Sequence, residues 1–105
     1  MATANPIVLT QFRAALDGLY GNRVERVVLY GSRARGDAQD DSDYDVAVFL
    51  KDLNDRWEEA DKIALAAMDI FDETGALIHA MPYSEGAYQE RTPLMHEVRR
   101  EGVDL

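Results

Sequence analysis

A chain of 105 residues, 47% of them hydrophobic, has the material for one ordinary core and reads as one domain. The absence of cysteine excludes disulfides and thiolate metal centres, and it fits a reducing cytoplasm. The net charge of −9 is unevenly spread: ten acids and only two bases, Lys51 and Arg56, lie between Asp37 and Asp61, a balance that repels a phosphodiester backbone. Direct nucleic-acid binding is therefore not expected. Such a surface suits metal cations or a basic protein partner, and for most of these acids the ordinary role is solubility. No apolar run approaches the roughly 18 residues that cross a membrane, and the start, MATANPIVLTQF, lacks the basic and long apolar regions of a signal peptide. The expectation is a cytoplasmic protein without a membrane partner.

In chain order, a short tail precedes Leu9 to Tyr20, where Leu9, Phe12, Leu16, Leu19 and Tyr20 recur at helical spacing and Gly21-Asn22 makes the stop. Val24 to Tyr30 (VERVVLY) is β-branched and aromatic and reads as a strand. Gly31 to Ser42 is a loop with one helical turn around Ser32–Arg35. Asp43 to Leu50 (DYDVAVFL) is a second strand, nearly all apolar, as when both faces are covered. Asn54 or Asp55 caps the next helix, whose stripe of Trp57, Ala60, Ala64, Ala67 and Phe71, joined by Ile63 and Ile70, is expected to pack on a sheet. Gly75 ends it. Ala76 to Tyr83 (ALIHAMPY) is a third strand, placed at an edge or strand end by Pro82. Thr92-Pro93 opens a last helix through Arg100, Gly102 closes it, and Val103-Asp104-Leu105 is left as a tail. Helix, strand, strand, helix, strand, helix describes an α/β domain with a small mixed sheet.

The chemistry concentrates at the ends of the first two strands. Asp43 and Asp45 are two apart on a strand, so they share a face, and like charges so close to a core need compensation. A hard divalent cation, Mg²⁺, supplies it, because it accepts one or two carboxylates and fills its shell with water and substrate phosphate. Gly31 permits close approach of backbone to a phosphate, Ser32 can donate to phosphate oxygens, and Arg33 and Arg35 are candidate phosphate clamps. Each element alone has a plain reading: a turn, a capping box, surface arginines offsetting Asp37, Asp40 and Asp41. Ordered together they describe transfer of a nucleotidyl or phosphoryl group.

Gly31-Ser32, ten residues, then Asp43-Tyr44-Asp45 resembles the signature of the nucleotidyltransferase superfamily that includes DNA polymerase β. The longer string GSRARGDAQDDSDYDVAVFL is similar to its shortest members, the minimal nucleotidyltransferase (MNT-domain) proteins, many of which are MntA-like antitoxins encoded beside a HEPN-domain ribonuclease toxin. The resemblance covers nearly the whole chain. It implies a nucleotidyltransferase fold, α/β (α+β) with a small mixed β-sheet flanked by helices, in a single domain over residues 1–105. By position it implies that Gly31 and Ser32 bind the nucleotide triphosphate with help from Arg35, and that Asp43 and Asp45 are the catalytic acids and the Mg²⁺ ligands. ATP would be the substrate, and AMP would pass to a tyrosine of the HEPN toxin in a hetero-oligomer of the type VII kind.

One departure stands out. Relatives carry a third carboxylate on a later strand, in a pattern like Val-Asp-Leu-Val-Pro, whereas Ile78-His79-Ala80-Met81-Pro82 puts His79 in its place. Histidine can accept a proton near neutral pH, though such a residue more often packs at a strand end. Glu85 falls in a turn, and His96 reads as structural or exposed. Two alternatives follow: an antitoxin that neutralises its toxin by binding alone, and a small-molecule nucleotidyltransferase, for which the residues after Leu50 leave little room.

Overall fold

The computed structural model describes residues 4–39 and 41–105. Asp40 and the first three residues of the expected N-terminal tail lie outside them. Helix α1 spans Pro6–Tyr20, strand β1 Val24–Tyr30, the short helix α2 Ser32–Arg35 and strand β2 Tyr44–Leu50. Helix α3 (Arg56–Thr74), strand β3 (Ile78–Ser84), helix α4 (Pro93–Glu101) and strand β4 (Val103–Asp104) complete the fold.

The strands form one mixed sheet in the order β3-β2-β1-β4. β1 runs antiparallel to β2 and β4, while β2 and β3 are parallel, joined by the α3 crossover. Alternation along the strands sends Val27, Leu29, Val46 and Val48 to the face covered by α1 and α3. Val28, Ala47 and Phe49 go to the opposite face, under Met95 and Val98 of α4. The near-continuous apolar run of β2 is thus explained by two covered faces, as its sequence suggested.

Local chemistry sets most boundaries. The Asn5 side chain accepts from the Ile7 N–H, so α1 begins at Pro6, three residues before the expected start at Leu9. Its buried positions are Val8, Phe12, Leu16 and Tyr20, each four residues on, and Leu19, expected inside, is exposed. Asp55 accepts from the Glu58 N–H and Thr92 from the Met95 N–H, capping α3 and α4. Gly75 ends α3 in the left-handed conformation.

Two expectations need correction. The stripe drawn along α3 is rotated: Glu59, Ile63, Ala67 and Ile70 are buried, while Trp57, Ala64 and Phe71 face outward. α3 lies over the outer part of the sheet, which covers one side of an apolar arc wider than the contact beneath it. The terminal Val103-Asp104-Leu105 is not a free tail. Val103 and Asp104 pair with Leu29 and Val28, the Leu105 N–H donates to the Val27 carbonyl (2.9 Å), and Arg13 donates to the Leu105 carbonyl (2.8 Å). Left bare, the outer edge of β1 would present unpaired backbone groups, and the last residues cover part of it. Gly102 makes that turn possible, since an added Cβ would stand 2.2 Å from the Val98 carbonyl oxygen and 2.4 Å from Val28.

Candidate active site

β1 ends at Tyr30 and the chain turns through Gly31 into α2. Gly31 has φ 77° and ψ −157°, a conformation that is essentially closed to residues with a Cβ. The reason for a glycine is visible across the turn: a Cβ there would lie 2.5 Å from Oδ2 of Asp45. The carboxylate of Asp45 therefore rests against the Gly31 backbone, and Ser32 follows immediately as the first residue of α2. The glycine–serine turn after β1 and Asp45 of β2 come from separate stretches, and they meet where Gly31 faces the carboxylate.

Asp45 is the second residue of β2, half-buried, with Tyr30 as its register partner on β1 and His79 on β3. The His79 Nδ1 lies 3.9 Å from the Asp45 Oδ1. Burial pushes the Asp45 carboxyl above the ordinary aspartate range; the His79 charge opposes this, Asp43 adds to it, and Arg35 opposes it. Asp43 sits exposed just before β2, close enough for its charge to be felt by Asp45. Tyr30, which the sequence reading left as a strand residue, borders the site from the other side. Its hydroxyl is pushed up to about 12 by burial and then by the charges of Tyr83, Asp45 and Glu97. Its position directly before Gly31 on a strand is the signal that could have found it.

The two arginines part company. Arg33, read as a candidate phosphate clamp, is buried: its Nε and Nη2 donate to the Ser42 carbonyl at 3.2 and 3.0 Å and its guanidinium stacks over Tyr44 at 4.5 Å. It braces the loop that delivers Asp43. Arg35 faces outward and is held by acids, with Asp37 at 3.1 Å, Glu101 at 3.0 Å and Glu97 at 3.9 Å. Burial acts to raise the Glu101 carboxyl, but hydrogen bonds and charge from Arg35 and then Arg100 outweigh it and hold it below the usual glutamate range. A depressed folded-state value gives stability that is present above the ordinary range and lost as pH falls through the folded one. The expected outcome is that the thermal midpoint drops less steeply on acidification in Glu101→Gln than in the parent, a difference readable by circular dichroism melts.

Among the described residues, no group of three or more His, Asp and Glu side chains is gathered to enclose a metal ion. The site nonetheless fits a magnesium ion held in the open fashion. Asp45 lies at the start of β2 with Asp43 just before it, close enough for their charges to interact, and the cost of burying Asp45 beside a second acid is what a cation offsets. Two carboxylates leave the remaining positions for water and phosphate oxygens.

Among the described residues no helix is long and apolar enough to cross a membrane. A Methanocaldococcus jannaschii protein, provisionally named as a protein adenylyltransferase, is 28% identical over 98 residues, covering 93% of this chain and 95% of that protein. Two solved structures share the fold. A chain of a toxin–antitoxin complex with AMP-PNP matches with TM-score 0.60 and 21% identity, covering 89% of this chain and 68% of that one. A chain from the complex of tri-AMPylated Shewanella oneidensis HEPN toxin with MNT antitoxin matches with TM-score 0.59 and 18% identity, covering 93% of this chain and 68% of that one. Residues 18–104 match the family described as polymerase beta, nucleotidyltransferase, and they contain the glycine–serine turn and both aspartates, so this chain belongs to the nucleotidyltransferases of that family.

Proposed function

We propose that this protein is a Mg-ATP-dependent protein adenylyltransferase that transfers AMP to a tyrosine of a HEPN-type toxin and so acts as its antitoxin. We take residues 1–105 as one minimal nucleotidyltransferase domain working in the cytoplasm. The observation that carries the reading is the Asp45 carboxylate seated against Gly31, beside Ser32 and within reach of the Asp43 charge. The named activity of the archaeal relative and the AMPylated toxin in the Shewanella complex support the choice of acceptor.

Asp43 and Asp45 would hold the magnesium ion. When bound, the ion supplies neutralisation of triphosphate charge and Lewis-acid activation at the α-phosphate. The Gly31 backbone and Ser32 receive the triphosphate, and Arg35, whose charge reaches Asp45, contributes positive charge. In the transfer the tyrosine oxygen forms a bond to the α-phosphorus, the bond to the bridging oxygen breaks, and pyrophosphate leaves with the electron pair. The tyrosine proton passes to His79, which stands in register with Asp45 at the position of the absent third acid.

The test is incubation with α-labelled ATP, Mg²⁺ and a HEPN-type helical protein from the same genome, read by mass spectrometry for AMP on tyrosine. Labelling that survives unchanged in both Asp43→Asn and Asp45→Asn would end the proposal. Rescue from the toxin by the doubly substituted protein would mark neutralisation by contact. His79→Ala is expected to lower kcat by about tenfold or more with little change in the KM for ATP. His79→Asp, which restores a carboxylate, is expected to recover most of that loss in the same steady-state assay.

A further inference from the structure

Along the outer edge of the sheet, α3 and β3 enclose a cleft of about 440 Å³. Its walls are apolar and open to water: Trp57 is 69% exposed, Met68 60%, Leu77 51% and Phe71 46%. Single exposed apolar residues are ordinary, but four large ones around one cleft mark a binding surface. β3 is the outermost strand of the sheet, so among the described residues its far edge has no neighbouring strand.

Two observations say what the cleft receives. Asp61 and Asp72 line it, and α3 as a whole carries six acids, Glu58, Glu59, Asp61, Asp69, Asp72 and Glu73, against Arg56 and Lys62. An apolar floor with an acidic rim complements an apolar surface flanked by cations. The cleft is also continuous with the candidate active site, because His79 lines it and stands 3.9 Å from the Asp45 carboxylate. The larger cleft between α1 and α3 includes none of the site residues.

We infer that this cleft docks the acceptor protein, through a helix with an apolar face bordered by lysine and arginine, so that the acceptor hydroxyl arrives at Asp45 past His79. Docking of this kind explains how the site could choose a protein substrate: the cleft holds the partner, and the acid pair needs only to meet one hydroxyl. The inference deepens the adenylyltransferase reading and rests on it, but binding can be measured with no transfer taking place.

Trp57 is the only tryptophan of the chain, so its fluorescence reports on the cleft alone. The probe is a synthetic amphipathic helix of leucine and lysine carrying one tyrosine, with a leucine–glutamate counterpart as control. The lysine peptide is expected to shift Trp57 emission to the blue, saturably, in the parent and in Asp43→Asn. Leu77→Asp and Met68→Asp should each weaken binding by about tenfold, worth about 1.4 kcal/mol. Leu65→Asp, at an equally exposed apolar position of α3 outside the cleft, should leave binding unchanged. These are surface positions, so each variant is expected to fold, which circular dichroism checks. An absent shift, an equal shift with the glutamate peptide, or binding that persists in Leu77→Asp overturns the inference. So does sedimentation showing a dimer with Trp57 already shielded, which would assign the cleft to a second copy of this chain. Saturable, cleft-dependent binding with no AMP transfer under Mg-ATP supports docking and counts against the adenylyltransferase reading.

Discussion

Asp45→Asn is expected to lower nucleotidyl transfer by about a thousandfold or more and, in the absence of magnesium, to raise the thermal midpoint by a few degrees. The two effects have one origin. Asparagine keeps the shape of the side chain against Gly31 but removes the charge that binds a cation. A thousandfold is about 4 kcal/mol of lost transition-state stabilisation, within what a bound metal contributes. The stability gain follows from the direction of the carboxyl shift. Burial raises the Asp45 carboxyl above its ordinary range, with Asp43 adding to the rise and His79 and Arg35 working against it. A raised folded-state value means that the ionised form burdens the fold: the burden is absent at low pH and sets in as pH rises through the folded value. At neutral pH the substitution removes it. Asp43→Asn should match the loss of transfer with little change in melting, since Asp43 is exposed. Scanning calorimetry with and without Mg²⁺, beside an initial-rate assay, reads all of these. An Asp45→Asn protein less stable than the parent in metal-free buffer would show that the carboxylate is a structural element and not a seat for a cation.

Gly31→Ala is expected to cost about a hundredfold in transfer and roughly 1–3 kcal/mol in stability, the usual price of forcing a side chain into this backbone region. At φ 77° the alanine is strained, whatever the space around it. Its Cβ would also stand 2.5 Å from the Asp45 Oδ2, so the carboxylate must swing away from the turn. Because that oxygen is the free end of a side chain, the swing is cheap for folding and expensive for the site. Activity should therefore fall further than stability predicts. Gly18→Ala is the control, since that glycine lies within α1 and a Cβ there meets nothing within 4 Å. It should be neutral or slightly stabilising, because glycine is a poor helix former. Chemical denaturation and initial rates on the two variants separate local strain from damage at the site.

The parts of this protein that short-range chemistry governs were legible without coordinates. β-branched runs gave β1 and β2, glycine and asparagine gave the stop of α1, and Thr92-Pro93 gave the start of α4. The spacing of two that put Asp43 and Asp45 together in sequence leaves them within reach of each other's charge, although β2 begins at Tyr44 and Asp43 lies just before it. Asn5 was missed as a cap only because the apolar pattern was counted from Leu9.

What no local pattern decided was which neighbours each element meets. The periodicity of α3 marks an apolar arc but not the portion the sheet covers, so Trp57 and Phe71, expected against the sheet, are surface. Val103-Asp104 has no strand signal of its own and becomes a strand because β1 has an edge to fill. Arg33 and Arg35 look equivalent in sequence, yet the short helix between Gly31 and Gly36 turns one onto Tyr44 and the other toward Glu101. Register alone placed Tyr30 and His79 on either side of Asp45. Sequence fixes what a residue can do over a few neighbours, through dihedral preference, capping and spacing. Pairing between distant segments depends on which buried surfaces fit together, and in this chain that packing alone brought Gly31 against Asp45.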